Sequence, residues 1–131
     1  MGGYMEMSMY GDVAAGFPSP AAQYEEDSLD LNRLLIRRPA ATFFLRASGD
    51  SMIGAGIYSG DILVVDRSIT PNDGDVVIAC IENEFTVKRI RIHDGKVWLI
   101  PANPAYRPIF FQSMQELRVF GVVIANVHMF R

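Results

Sequence analysis

Two residues of this chain have the types and the setting for acyl-transfer chemistry. Ser51 sits in Ser48-Gly49-Asp50-Ser51-Met52, and Lys88 sits in Phe85-Thr86-Val87-Lys88-Arg89. A serine hydroxyl is a poor nucleophile until a base takes its proton. A lysine becomes that base when a dry setting disfavours its ammonium form. Serine–lysine pairs are one variant of the serine nucleophile constellation. Both residue types are ordinarily surface groups, so the elements that carry them decide whether the pair means anything.

Ser51 follows Gly49 and precedes Gly54 and Gly56, a loop where the backbone can turn tightly and approach a substrate. The amide N–H groups of Asp50 and Ser51 are then candidates for an oxyanion hole, which needs donors aimed at developing charge. Lys88 lies in a run with strand character. With a two-residue period it shares a face with Thr86 and Ile90, opposite Phe85 and Val87. On that face the Thr86 hydroxyl can orient the amine, and Ile90 and Ile92 supply an apolar setting that lowers its pKa. If Val87 faces the core instead, Lys88 is a solvent lysine; the sequence leaves both faces open.

The elements around these two residues read as follows. Residues 1–27 have no period and are rich in Gly, Met, Ala and Pro, with Phe17-Pro18-Ser19-Pro20 forcing an extended course; they form a flexible arm. Within it, Val13-Ala14-Ala15-Gly16-Phe17 sets small residues before the proline pair; its composition alone favours a plain linker. Ser28 to Arg38 is the one helical segment, with Leu31, Leu34 and Leu35 on one face, Ser28 or Asp30 as cap, and Pro39 as stop. From Thr42 onward the pattern is β. Thr42–Ala47, Asp61–Asp66, Asp75–Ile81, Phe85–Ile92, Lys96–Pro101 and Arg118–Met129 are rich in Val, Ile, Phe and Leu. Turn signals at Asn72-Asp73-Gly74, Glu82-Asn83-Glu84 and Asp94-Gly95 separate them. Pro101 to Gln115 reads as an irregular crossing. The fold class is mainly β: a compact rolled β domain over residues 28–131, with one short helix, behind the flexible arm.

Composition narrows the rest. The chain has 131 residues, half of them hydrophobic and 21% charged, which suits one globular domain plus an arm. A net charge of −3 argues against electrostatic or direct sequence-specific DNA binding. Arg33, Arg37, Arg38, Arg46, Arg89 and Arg91 read as a solvated face of mixed charge rather than a basic patch. Cys80, alone in its type, lies in an apolar run and reads as a small buried hydrophobe. His93 and His128 have no ligand-spaced partners, so neither a metal nor another cofactor is expected. No apolar run approaches a membrane span, and no basic stretch precedes an apolar segment at the amino terminus. The expected setting is cytoplasmic.

Four blocks in order carry a resemblance. These are Ala47-Ser48-Gly49-Asp50-Ser51-Met52, Ser59-Gly60-Asp61-Ile62-Leu63-Val64-Val65-Asp66, Gly74-Asp75-Val76-Val77-Ile78-Ala79 and Glu84-Phe85-Thr86-Val87-Lys88-Arg89. Together they resemble the LexA/UmuD family of self-cleaving Ser–Lys peptidases, whose nucleophile and base are also 37 positions apart. Gly16-Phe17-Pro18-Ser19-Pro20, Leu29-Asp30-Leu31-Asn32 and Phe120-Gly121-Val122-Val123-Ile124 bring it closer to the UmuD branch. The resemblance implies Ser51 as nucleophile, Lys88 as base, and a self-cut between a small residue and glycine, here Ala15 and Gly16. It further implies a trimmed homodimer that joins an error-prone Y-family polymerase of the UmuC type in translesion synthesis during the SOS response. Cleavage is then stimulated by RecA filaments on single-stranded DNA. Gly16 to Ser28 extends to about 40 Å, enough to reach its own cleft or a dimer partner's.

Three rivals stand beside this reading. A LexA-type or phage-type repressor needs an amino-terminal helix-turn-helix, for which the aperiodic residues before the first helix are too few. A signal peptidase shares the chemistry but needs a membrane anchor. An inert binding module would carry Ser51 and Lys88 without using them.

Overall fold

A computed structural model describes residues 7–9, 11–16 and 26–131. The chain divides into two compact units, Met1–Arg37 and Arg38–Arg131. That division falls ten residues beyond the boundary drawn from composition. The proline-paired stretch from Phe17 to Pro20 lies outside the described residues.

In the first unit, β1 (Met7–Met9) pairs antiparallel with β2 (Glu26–Leu29), Met7 opposite Leu29. The expected helix is shorter than its sequence pattern. It forms α1 over Leu31–Leu35 only, and Ser28 belongs to β2 rather than to a cap. Asp30 is the N-cap: its carboxylate oxygen accepts from the backbone N–H of Asn32 at 3.0 Å and of Arg33 at 3.3 Å. Leu31 and Leu34 are exposed, so the apolar face read from the sequence is not buried. A single turn gains little from its own hydrogen bonds, and Pro39 opens a 3-10 turn, Pro39–Ala41, instead of extending the helix.

The second unit is built on a seven-stranded antiparallel sheet. Its strands are β3 (Thr42–Arg46), β4 (Ile62–Asp66), β5 (Val76–Ile81), β6 (Glu84–His93), β7 (Lys96–Ile100), β8 (Ile109–Phe111) and β9 (Arg118–Val127). In space they run β3-β4-β9-β5-β6-β7-β8. The mainly β reading therefore holds, and six strands lie within two residues of where the sequence puts them. β8 was missed. It is three residues long, too short to show a period, and hides in the crossing expected to be irregular.

The turns follow local chemistry. Glu82 and Asn83 (φ 51° and 66°) join β5 to β6, and Asp94 and Gly95 (φ 51° and 75°) join β6 to β7. Two successive left-handed residues are what a two-residue hairpin needs to match strand twist. Val77, Ile78 and Ala79 are consecutive and all buried, as are Leu63, Val64, Val65 and Asp66. Successive strand residues point to opposite faces, so β4 and β5 are covered on both sides: the sheet rolls over itself. One cluster gathers Val77, Ala79, Ile90, Val97 and Leu99; the other gathers Ala47, Met52, Ile57, Leu63 and Ile78. The inner strand β9 breaks register against β4 and against β5, and it passes so close to β4 that a Cβ on Gly121 would lie 2.6 Å from Val65 Cγ1.

Candidate active site

Ser51 stands on the turn between β3 and the 3-10 segment Ile53–Ala55. The loop needs its glycines in two ways. Gly49 and Gly56 adopt φ of +83° and +82°, where a side chain would be strained. Gly54 donates its N–H to the carbonyl of Ala102 at 2.8 Å, and a Cβ there would sit 2.6 Å from that oxygen. Met52, next to the serine, is buried and plugs the loop into the core, its sulfur accepting from the Ala102 N–H at 3.4 Å.

Lys88 reaches the same place from β6. Its Nζ lies 3.0 Å from Ser51 Oγ, 2.7 Å from Thr86 Oγ1 and 3.0 Å from the carbonyl oxygen of Val87. The choice of face left open by the sequence is thus made: Lys88 turns to the serine, with Thr86 orienting its amine. The expected wall is a different one. Ile90 and Ile92 belong to the other core cluster, and the cleft around the pair, about 210 Å³, is lined by Leu45, Ala47, Leu63, Ile78 and Val87. Half-burial among these groups pushes the Lys88 amine below the ordinary lysine value of 10.5. Among the described residues no carboxylate lies within 4.0 Å to hold its charge.

This geometry accommodates an ammonium with three donors and also a neutral amine. The neutral amine has two N–H donors and one lone pair. Thr86 Oγ1 and the Val87 carbonyl take the two donors, and the lone pair is left for the Ser51 proton. A protonated amine would spend its third donor on Ser51 Oγ, leaving nothing basic to accept a proton.

The Ser51 loop has a second support that the sequence reading missed. Asn103 Nδ2 donates to the carbonyl of Asp50 at 2.9 Å, and the Tyr106 hydroxyl donates to the Asp50 carboxylate. The only sequence signal was the turn-rich Asn103-Pro104-Ala105-Tyr106, read as an irregular crossing.

Residues 8–124 match the family model described as Peptidase S24-like. The chain belongs to that family. It is 54% identical over 114 residues to Protein SamA of Salmonella typhimurium, an alignment that covers 87% of this chain and 79% of that protein. It is 45% identical over 113 residues to Protein MucA of Escherichia coli, covering 85% and 76%. It is also 35% identical over 122 residues to the LexA repressor of Anaeromyxobacter dehalogenans, covering 92% of this chain and 54% of the repressor. Within this peptidase family, the resemblance to LexA and UmuD proteins read from the four sequence blocks holds.

The remaining residues singled out from the sequence lie elsewhere. Ala15 and Gly16 occupy an exposed bend in the first unit. Cys80 is half-buried rather than buried, and lines a groove with Arg67, Phe85, Arg118 and Phe120. Five of the six arginines have separate partners: Arg33 pairs with Asp30, Arg38 with Asp66, Arg91 with Asp73, Arg46 donates to the Gly60 carbonyl and Arg89 to that of Gly74. His128 pairs with the buried Asp61. Among the described residues no three His, Cys, Asp or Glu side chains gather as a metal site, and no helix is long and apolar enough to cross a membrane.

Proposed function

We propose that this chain is a self-cleaving Ser–Lys endopeptidase. The observation that carries the proposal is the 3.0 Å approach of Lys88 Nζ to Ser51 Oγ in a cleft whose burial lowers the amine's proton affinity. Lys88 takes the hydroxyl proton as Ser51 Oγ attacks a peptide carbonyl. The N–H groups of Asp50 and Ser51 hold the oxyanion. Lys88 then gives its proton to the leaving amine, and an acyl-serine remains. Water, deprotonated by the same lysine, releases the acid and restores Ser51.

The bond we assign is Ala15–Gly16, a small residue before glycine on an exposed bend. Cutting there leaves Gly16–Arg131, or 131 − 15 = 116 residues. Membership of the family and the likeness to SamA and MucA support a cytoplasmic role in SOS mutagenesis. In it the trimmed homodimer serves as accessory subunit to a Y-family polymerase of the UmuC type, and RecA filaments on single-stranded DNA stimulate trimming. No metal or other cofactor takes part in this scheme.

The experiment is an intact-mass time course on the purified chain, with and without RecA filaments, followed by sedimentation and a pull-down with the polymerase subunit. Conversion to a stable 116-residue product supports the assignment; cutting at Ala14–Ala15 or near Ser19 moves the bond. A chain that stays whole under both conditions favours the inert-module reading.

A further inference from the structure

We infer that Asn103 and Tyr106 are positioning residues that aim the Ser51 amide N–H, the donor on the nucleophile itself, at the oxyanion. The inference rests on the peptidase reading and deepens it.

The carbonyl of Asp50 and the N–H of Ser51 are two ends of one peptide unit. That unit is planar and trans, so its C=O and N–H point in opposite directions and turn together. Whatever holds the Asp50 oxygen therefore holds the direction of the Ser51 N–H. Asn103 Nδ2 holds it at 2.9 Å, closer than the Ile53 N–H of the same turn at 3.4 Å. The amide of Asn103 is itself oriented, because its Oδ1 accepts from the Ala105 N–H at 2.9 Å and so leaves Nδ2 to face Asp50. The Tyr106 N–H closes the same turn on the Asn103 carbonyl at 3.1 Å.

Tyr106 adds a second hold. Its hydroxyl donates to Asp50 Oδ1 across 56 positions of sequence, which stops the Asp50 residue from rotating about its own backbone. Bonding to the Asp50 carboxylate also pushes the Tyr106 phenol above its ordinary value of 10.0, which favours the protonated donor. A hydrogen bond accepted at one end of an amide strengthens donation from the other. Asn103 thus both aims and polarises the Ser51 N–H. Neither residue touches the serine oxygen or the lysine amine by any bond in the structure, so their effect is on the donor and not on the base.

The test is the self-cleavage rate of the full chain against pH for the wild type, Tyr106→Phe, Asn103→Ala and Asn103→Asp. Beside it runs the 1H–15N position of the Ser51 amide in each, with circular dichroism as a fold control. Loss of a whole oxyanion donor costs about 10²–10³-fold, and a donor left in place but released should cost about 10–100-fold. We expect Asn103→Ala to fall by that factor and Asn103→Asp, which sets an acceptor against the Asp50 carbonyl, to fall further. Tyr106→Phe, which removes one oxygen and keeps the ring, should fall about tenfold. In each the midpoint of the pH profile stays at the wild-type value while the Ser51 amide signal moves. If Asn103→Ala fails to fold, Tyr106→Phe alone decides. Folded variants that trim at the wild-type rate, or that shift the midpoint, overturn this inference while leaving the peptidase reading intact. A wild-type chain that never trims overturns both.

Discussion

Lys88 and the pair Asp61 and Asp66 are charged groups taken out of water in one domain, and they are treated in opposite ways. Asp66 is fully buried, and everything around it favours the charge. The Ser68 hydroxyl and N–H donate to one oxygen at 2.6 and 2.8 Å, and Arg38 donates to the other at 2.9 Å. The Ser68 hydroxyl does most to hold its pKa below 3.8, against the burial that would raise it. For Asp61 burial is the strongest single influence and pushes upward. The Tyr58 N–H, His128 and Asn126 together outweigh it, and the net shift is again downward. Lys88 is only half-buried, yet it has neutral oxygens around it and no anion, and its charged form is disfavoured. A charge given donors on every side is scaffolding. A cation denied its counter-charge is held ready to lose a proton.

The largest test of this contrast removes the groups themselves. Ser51→Ala should abolish self-cleavage, about 10⁶-fold where the nucleophile is essential, and Lys88→Ala should cost about 10²–10⁴-fold as the loss of a positioned base. Lys88→Arg should fail as badly, since guanidinium stays protonated. Asp66→Asn, on the scaffolding side, should leave the rate of the folded protein unchanged. A trimmed product from Ser51→Ala under protease-free conditions would sink the assignment.

Next comes the pH dependence of the cut. In the proposed mechanism only neutral Lys88 accepts the serine proton, so the unstimulated rate should rise about tenfold per pH unit below the midpoint. That midpoint should lie below 10.5, because burial lowers the amine. A flat profile, or a midpoint near the ordinary histidine value of about 6.5, would place the base elsewhere. Circular dichroism must accompany the series to exclude alkaline unfolding.

Gly54→Ala strikes only the Ser51–Lys88 side of the comparison. Its Cβ would press to 2.6 Å of the rigid Ala102 carbonyl. The expected cost is about 1–3 kcal/mol in denaturant titration, typical of overpacking, with slower cleavage as the Ser51 turn shifts from Lys88. Unaltered stability and rate would mean that the loop yields freely.

The smallest effects are in stability against pH, and the two sites should differ in sign. Asp61 and Asp66 have lowered folded values, so their contribution is complete above about pH 3.8 and is lost as pH falls through those lower values. Asp66→Asn should therefore melt a few degrees lower at pH 7 and lose part of the wild type's acid sensitivity below pH 4. Lys88 runs the other way. Between its lowered value and 10.5 the unfolded chain binds more protons, so stability gained from this group rises with pH. Lys88→Met should melt slightly higher at pH 7, with the gain vanishing above about pH 10.5. A lower melting temperature for that variant would show that the amine is a stabilising group after all.

The strands were legible because each signal was local. Val, Ile and Phe at a two-residue period mark β4, β5, β6 and β9, and Asn83 and Gly95 mark the hairpins. The short elements were not legible. The ladder of Met7–Met9 with Glu26–Leu29 is stabilised by a partner nearly twenty positions away, and β8 by pairing Ile109–Phe111 with Val97–Leu99. In three or four residues no period can be counted. The helix from Ser28 was overextended for a related reason. Its leucine spacing is real, but pairing with Met7–Met9 draws Ser28 into a strand, and Asp30 caps one residue before Leu31.

By itself the sequence determined the mainly β class, the serine on a glycine-bound turn and the lysine beside a threonine on a strand. Those depend on side-chain alternation and on backbone freedom, which neighbours in the chain decide. It could not determine which face Lys88 takes or which residues dry it, and the wall of Ile90 and Ile92 proved to be Leu45, Ala47, Leu63, Ile78 and Val87. Nor could it join Asp50 to Asn103 and Tyr106, 53 and 56 positions away. Proton affinity and donor direction depend on what lies within a few ångströms in space, and only the rolling of the sheet brings those groups together.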